Sequence, residues 1–510
     1  MSVPLPVFVA IPLVTAFVLP LFGSKGKSGA TLLANLAALA LLVLSILSVG
    51  RSDTYQVGKW SIPLGINMVI DGLSCLILLA ISVVSAAAML FSTGYMEQYT
   101  AKPKFLSLFM LMVAGMNGLV LSGDLFNVFV FLEIASIASY ALVGFGCQHE
   151  ELEASFKYLV LGSVGSSLIL LGIALVYANT GALNMAYISK AIQTSGFNPG
   201  LTFALALLVT GLALKAALVP FHAWLPDAHP SAPAPISAML SGILIKVLGI
   251  YALARLLFNV FGVSTHIGWL LIVLGLLSMI AGAFLAIGQS DLKRLLAYSS
   301  ISQVGYIVLG IGLGALIIAS AGPNPAPKQL AWASLAILGG LLHLVNHAVY
   351  KALLFLTSGS IEMATGTRQL AQLGGLARRM PVTRATCAIA SASIAGVPPF
   401  AGFWSKLILV IAAVQAGFYW IAAIIVSVSV CTLIMYLKVH RYVFLGELPQ
   451  SLLRVRESKT SMLLAMTFLA CLCVLMGLLV LVPDLKTTIL DPAVKTLTDG
   501  LGYSAGLIKT

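Results

Sequence analysis

The chain alternates long apolar segments with short polar connections. The apolar runs extend over roughly 18–25 residues, which is the length that a helix needs to cross a bilayer. Because they are continuous and do not alternate with polar residues, they predict helices and argue against a transmembrane barrel. We therefore expect an all-α polytopic membrane protein, one transmembrane domain over residues 1–510, with fourteen spans at about 5–22, 30–49, 67–92, 105–122, 125–146, 155–178, 200–221, 235–260, 268–288, 295–319, 331–358, 383–412, 416–443 and 460–483.

Three spans are expected to be interrupted. Span 7 ends in VPFHAWLPDAHPSAPAP (219–235), whose prolines preclude a continuous helix. Span 12 contains GVPPFAGFWSK (396–406), and span 11 is unusually long. Irregular backbone at membrane depth occurs where it lines a cavity or a site. The similar wording of VPFHAW and PPFAGFW, five spans apart, predicts two inverted five-helix repeats, spans 4–8 (residues 105–260) and 9–13 (residues 268–443).

Ionisable residues lie inside several of the apolar spans. Lys215 lies in LALLVTGLALKAALVP and Lys246 in ISAMLSGILIKVLGIYALAR, both distant from the polar ends where a lysine can reach water. An ionised lysine in mid-membrane costs ~2.5–3.5 kcal/mol, so its default interpretation is an ion path or a relay. Glu133 lies inside span 5, and Lys215 is its natural partner because spans 5 and 7 belong to one repeat. The alternatives are a neutral glutamic acid that bonds a neighbouring helix, and static ion pairs.

The second half of the chain carries a row of titratable residues. His343, His347 and Lys351 are spaced i, i+4, i+8, so they share one helix face. Because imidazole accepts a proton on one nitrogen and donates from the other, such a row suits proton transfer. A metal site lacks a third ligand nearby in sequence, and packing histidines are the other alternative. Lys406 follows the break in span 12, where it lines a cavity or, alternatively, extends to the membrane surface.

Composition and charge agree with a membrane protein. The chain is 60% hydrophobic and 9% charged, whereas about a quarter of residues are charged in soluble domains. The net charge of +12 comes mainly from loops after odd-numbered spans. The positive-inside rule then places those loops in the cytoplasm and both termini outside, in the cell (inner) membrane, and explains the charge without a nucleic-acid partner.

The cysteines predict no redox centre. None of the six forms a CxxC pair, and the spacing typical of iron–sulfur, haem or zinc sites is absent from the sequence. Nucleotide-binding and nucleophile motifs are also absent. We therefore expect no cofactor on this chain.

Four motifs resemble those of one family, the antiporter-like subunits. It comprises the N-, M- and L-type membrane subunits of respiratory complex I, the D and A subunits of Mrp sodium/proton antiporters, and their counterparts in membrane-bound hydrogenases. The motifs are VPFHAWLPDAHPSAPAPISAMLSGILIKVLGIY (219–251), LLAYSSISQVGY (295–306), HLVNHAVYKALLFLTSG (343–359) and GVPPFAGFWSK (396–406).

The resemblance implies fourteen helices and a hydrophilic axis at mid-membrane. It implies that Glu133 and Lys215 form the charged pair of one half-channel, that Lys246 is the central relay lysine, and that Lys406 ends the second half-channel. His343 and His347 resemble the histidines of a broken eleventh helix. Lys406 argues against the M type, which has glutamate there, and the short segment after span 14 argues against the L and A types. A D-like subunit, a hydrogenase counterpart or an N-type subunit remains.

The expected function is a non-redox, proton-translocating subunit of an energy-converting complex. Its expected partners are the lipid bilayer, protons, other membrane subunits, and a source of energy that is either a peripheral redox arm or a counter-moving sodium ion. The alternatives are a stand-alone cation/proton antiporter and a purely structural subunit.

Overall fold

The computed structural model describes residues 4–23, 26–322 and 326–502. Those residues fold mainly as helices, which confirms the all-α class. The helices are α1 Val7–Val18, α2 Lys27–Leu47, α3 Gly72–Tyr95, α4 Lys102–Leu121, α5 Leu125–Val143, α6 His149–Thr180, α7 Met185–Ser195, α8 Pro199–Lys215, α9 Leu225–Ser231, α10 Ala234–Val260, α11 Thr265–Ile287, α12 Leu292–Ala321, α13 Pro327–Thr365, α14 Pro381–Ala395, α15 Ala401–Gln415, α16 Tyr419–Val443, α17 Thr460–Leu479 and α18 Asp491–Thr498.

A small antiparallel hairpin precedes α3. Its strands are β1 Asp53–Gln56 and β2 Asn67–Ile70, with Asp53 opposite Ile70. Asp71 follows β2 and caps α3 by accepting a hydrogen bond from the Ser74 amide.

Eleven of the described helices are long and apolar enough to cross a membrane. Three shorter apolar helices cover Val7–Phe22, Pro199–Lys215 and Ala401–Gln415. The chain is thus a multi-pass membrane protein, and the count of fourteen spans stays a prediction.

The proline-rich breaks lie where the sequence predicts them. Helix α8 ends at Lys215 and α9 begins only at Leu225. Likewise α14 ends at Ala395 and α15 begins at Ala401, so predicted span 12 is two half-helices. Each break lies beside a lysine, because Lys215 is the last residue of α8 and Lys406 belongs to the second turn of α15.

The expected interruption of span 11 is wrong. Helix α13 runs without a break from Pro327 to Thr365. Its interior lacks proline. The glycine pair Gly339–Gly340, where a helix is least stable, is closely packed, because an added side chain would meet Leu409 or the backbone of Ile307. Close packing therefore keeps the helix continuous at a glycine pair that would otherwise destabilise it.

An irregularity that the sequence did not reveal lies in α10. Residues 240–244, 246–251 and 256–260 are π-helical, so Lys246 lies within widened turns. π-Helical turns are rare and are concentrated at functional sites. The most hydrophobic window of α10 is also completely buried, whereas that of α2, α6 and α16 is 39% buried. The helix that carries Lys246 is therefore the centre of the bundle.

Candidate functional site

Lys215 and Glu133 form the pair that the sequence predicts. Lys215 Nζ lies 3.7 Å from Glu133 Oε1. The amine also donates to the hydroxyl oxygens of Ser136 and Tyr140, both at 3.1 Å. Ser166 on α6 donates to the same carboxylate. Helices α5, α6 and α8 thus meet at one charged, hydrogen-bonded cluster.

Lys246 has a different environment. Its side chain is fully buried and folds back onto the preceding turn of α10, where Nζ donates to the carbonyl oxygens of Ser241 and of Gly242, the latter at 2.6 Å. Ser241 Oγ lies 2.6 Å from Ser300 Oγ on α12. Lys246 therefore has neutral acceptors, where Lys215 has a carboxylate.

Lys351 contacts the serine that precedes Ser300 in α12. Its amine donates to Ser299 Oγ and lies 3.5 Å from Tyr436 Oη. Since Ser299 and Ser300 are consecutive in α12, this helix contacts Lys351 directly through Ser299, and through Ser300 it contacts Ser241, whose carbonyl oxygen accepts from Lys246.

The two histidines on α13 are not equivalent. His343 Nδ1 lies 2.9 Å from Ser405 Oγ, and its Nε2 lies 3.2 Å from Gln303 Oε1. His347 is fully buried, and neither ring nitrogen has a hydrogen-bond partner among the described residues. The two ring centres are 6.5 Å apart. A buried polar group without a partner costs free energy, so His347 is held in a state that can gain a hydrogen bond or a proton.

Lys406 lies at the break between α14 and α15. Its amine donates to the carbonyl oxygen of Ile394 at 2.8 Å and to Ser429 Oγ at 3.1 Å. The carbonyl groups are those that the end of α14 leaves without intrahelical partners. A cavity of about 420 Å³ adjoins the amine. The structure thus places Lys406 in a cavity wall and not at the end of a helix.

His229 is a member of the cluster that the sequence analysis did not select as a candidate. It lies in α9, is fully buried, and neither of its ring nitrogens has a partner among the described residues. Its ring centre lies 5.5 Å from that of Phe355, and Lys351 Nζ lies 5.7 Å from the centre of the same phenylalanine ring. The prolines around it suggest a loop, and only the folded chain shows that this segment turns inward.

The site has no metal-binding arrangement within the described ranges. There, no group of three or more His, Cys, Asp or Glu side chains could hold an ion. The assembled site is thus a series of buried or partly buried titratable groups, several of which bond serine, tyrosine or glutamine side chains: Glu133–Lys215, Lys246, His229, Lys351, His347, His343 and Lys406.

Comparison with known proteins gives a consistent result. A family model described as NADH:quinone oxidoreductase/Mrp antiporter, TM, matches residues 122–322 and 329–432. A second, described as NADH-Ubiquinone oxidoreductase (complex I), chain 5 N-terminus, matches residues 55–106.

Individual relatives match over nearly the whole chain. The N subunit of the NADH-quinone oxidoreductase of Desulforudis audaxviator is 36% identical over 451 residues, 88% of this chain and 86% of that protein. The D subunit of the Na(+)/H(+) antiporter of Alkalihalophilus pseudofirmus is 34% identical over 480 residues, 92% of each. A chain of the Mrp complex from Dietzia sp. DQ12-45-1b is 29% identical, covers 99% of both chains and superposes with a TM-score of 0.87.

Proposed function

Because this chain belongs to the NADH:quinone oxidoreductase/Mrp antiporter family, as an antiporter-like membrane subunit of a multi-subunit complex, we propose that it carries protons along its buried charged residues. The observation that carries this proposal is the position of Lys246. It lies at the centre of the bundle, in π-helical turns, with only neutral acceptors among its described hydrogen bonds. A buried amine without a carboxylate partner gains little from remaining charged, so it can take up and release a proton.

The path has two halves in this proposal. Residues 105–260 form one half-channel, with Glu133, Lys215 and Lys246, and residues 268–443 form the other, with His343, His347, Lys351 and Lys406. Support comes from the two helix breaks, each of which lies beside a lysine, and at the second break Lys406 donates to the carbonyl oxygen of Ile394. Opening and closing of the Glu133–Lys215 pair changes the field at Lys246 and thereby its protonation.

The direction and the energy source belong to the same proposal. Odd-numbered loops, rich in lysine and arginine, face the cytoplasm across the cell membrane, and both termini lie outside. A proton enters near the α8–α9 break, charges Lys246, passes by His347 and His343 to Lys406, and leaves on the outer side. The driving energy is supplied by a partner, either redox chemistry or a counter-moving sodium ion, and this chain carries no cofactor.

Two substitutions at Lys246 test the relay in the intact complex reconstituted in vesicles. Lys246→Ala removes the proton carrier, and Lys246→Arg keeps a positive charge that cannot be released. Both are expected to lower the rate of proton translocation by about 100-fold, which is the scale on which a positioned proton donor acts. If Lys246 supplied only a fixed positive charge, Lys246→Ala would lose proton translocation and Lys246→Arg would keep it.

Lys438→Ala is the matched control. Its amine also donates to two backbone carbonyls, of Ile287 and Gln289, each at 2.8 Å, but it lies at the far end of α16. It is expected to leave translocation unchanged. Wild-type rates in Lys246→Ala, measured per assembled complex, contradict the proposed function.

A further inference from the structure

Two adjoining cavities open on the side of the bundle that carries the odd-numbered loops. Their volumes are about 550 and 350 Å³, and both are lined by Glu150, Pro230, Ser231 and Arg368. They lie over the end of α9, the helix that contains His229. Water and ions on this side thus reach the protein at the segment next to the buried relay.

A buried ion pair lies at the inner wall of the smaller cavity. Lys293 of α12 and Glu362 of α13 approach to 2.6 Å between Nζ and Oε2. The lysine side chain is 3% exposed and the glutamate side chain 27% exposed. Both residues line the smaller cavity, and the glutamate is the more exposed of the two.

The same lysine holds the backbone that follows His229. Lys293 Nζ lies 3.3 Å from the Ala232 carbonyl oxygen and 3.5 Å from that of Pro230. Arg368 Nη1 donates to the Pro230 oxygen at 3.0 Å. Two cations thus clamp residues 230–232, and Glu362 contacts both of them, at 3.9 Å in the case of Arg368.

Arg368 is the fixed charge of this clamp. Its Nε lies 2.5 Å from Asp291 Oδ2. Burial acts to lower the pKa of Arg368, but the carboxylates of Asp291 and Glu362 outweigh it and raise that pKa above its usual value. Arg368 therefore stays protonated, and the Glu362 carboxylate lies between this fixed charge and Lys293.

We propose that Glu362 is the group that collects protons at the cytoplasmic mouth, and that its ion pair with Lys293 is the gate of the relay. This inference rests on the proposed function. A proton from water in the cavity adds to a Glu362 carboxylate oxygen and removes its negative charge. The attraction that holds Lys293 is then lost, the clamp on residues 230–232 loosens, and the proton leaves Glu362 inward toward His229. The carboxylate regains its charge and the pair closes.

Several titratable and charged groups surround Glu362. The titratable groups that line the same cavity are Tyr95, Tyr99, His149, Glu150, Glu151, Lys293 and Arg368.

Substitution of Glu362 in the intact complex tests the gate. Glu362→Gln cannot accept a proton, so the initial rate of uptake from the cytoplasmic side is expected to fall about tenfold or more. The dependence of the rate on cytoplasmic pH is expected to flatten, while its dependence on outer pH is kept. Glu362→Asp retains a carboxylate and is expected to keep both the rate and the pH profile.

Two further variants guard against a purely structural effect. Glu362→Gln combined with Lys293→Gln removes both charges, so no unpaired charge is buried, and it is still expected to lose uptake. Glu97→Gln is the matched control, because Glu97 pairs with Lys459 in an exposed contact at a cytoplasmic loop. It is expected to behave as wild type.

The outcomes separate the gate from the relay. Wild-type uptake and an unchanged cytoplasmic pH profile in Glu362→Gln, in a complex that Lys246→Ala inactivates, overturn the gate and leave the relay. Normal transport in Lys246→Ala overturns both.

Discussion

The three lysines of the α8, α10 and α15 segments differ in what they bond. Lys215 faces a carboxylate, whereas the hydrogen bonds described for Lys246 and Lys406 go to backbone carbonyls and a hydroxyl. A buried charge paired with an opposite charge is strongly coupled to that partner, and a charge solvated by dipoles alone is not. Lys215 is therefore suited to a switch, and the other two to carrying protons.

Glu133→Gln tests the switch at the level of one residue. It leaves the Lys215 amine buried without its counter-charge, and breaking a buried pair in this way costs about 3–5 kcal/mol if the amine stays charged. We expect Lys215 to give up its proton and translocation per assembled complex to fall by about tenfold or more.

Ser166→Ala is the control for that substitution. It removes a hydrogen bond to Glu133 but keeps the carboxylate, so it is expected to have a much smaller effect. Equal rates for Glu133→Gln and wild type, measured as proton flux into vesicles, contradict a role for the pair.

At this scale the sequence revealed the charges and the Glu133–Lys215 pair, but not the neutral side chains that the charged groups contact. Lysine, histidine and glutamate inside apolar spans are conspicuous because each is costly there. Serine and tyrosine are ordinary in such helices, so the contacts of Ser299, Ser300 and Tyr436 could not be inferred. They depend on the relative rotation of α10, α12 and α16, which no local pattern encodes.

Among the helices, the breaks that contain prolines were predictable from the sequence, and the irregularities without prolines were not. The prolines of 219–235 and the Pro398–Pro399 pair end helices because proline has no backbone amide donor. This property does not depend on the neighbouring helices. The π-helical turns of α10 lack such a marker, because they arise from packing against neighbouring helices. The same dependence on packing keeps α13 continuous at Gly339–Gly340.

Gly249→Ala tests the contact that brings α10 against the α8 break. A Cβ at Gly249 would come within 2.6 Å of the Ala216 backbone nitrogen, where no flexible side chain can yield. Overpacking of this kind costs typically about 1–3 kcal/mol. We expect a lower melting temperature of the purified complex and a weaker association of α10 with α8.

Gly288→Ala serves for comparison in the same experiment. It ends α11, and an added Cβ meets only the Leu285 carbonyl oxygen, at 3.8 Å. A melting temperature lowered as much by Gly288→Ala as by Gly249→Ala shows that the close approach is not the cause.

At the scale of the whole molecule, the ionisable residues of the site lie mainly on the more buried helices. The two helices that carry Lys246, His343, His347 and Lys351 are among the most enclosed, while α2, α6 and α16 present large apolar side chains outward. Composition predicted a membrane protein but not which helices are central, because all spans are similarly apolar. Glu133 departs from this arrangement: its side chain is 26% exposed, midway along α5.

That exposure predicts that the chain does not function alone. Glu133 lies on the same face of α5 as Phe126 and Ile137, which are 45% and 60% exposed. A charged side chain facing lipid at mid-membrane costs ~2.5–3.5 kcal/mol, and Lys215 at 3.7 Å offsets it only from the inner side. We expect a neighbouring membrane protein of the complex to cover this face, to remove the cost and to set the charge of the pair. We therefore expect the purified chain in liposomes to show no cation/proton exchange above the level of the complex carrying Lys246→Ala, and the wild-type complex to show full exchange. Sustained exchange by the chain alone, abolished by Lys246→Ala, identifies it instead as a stand-alone antiporter.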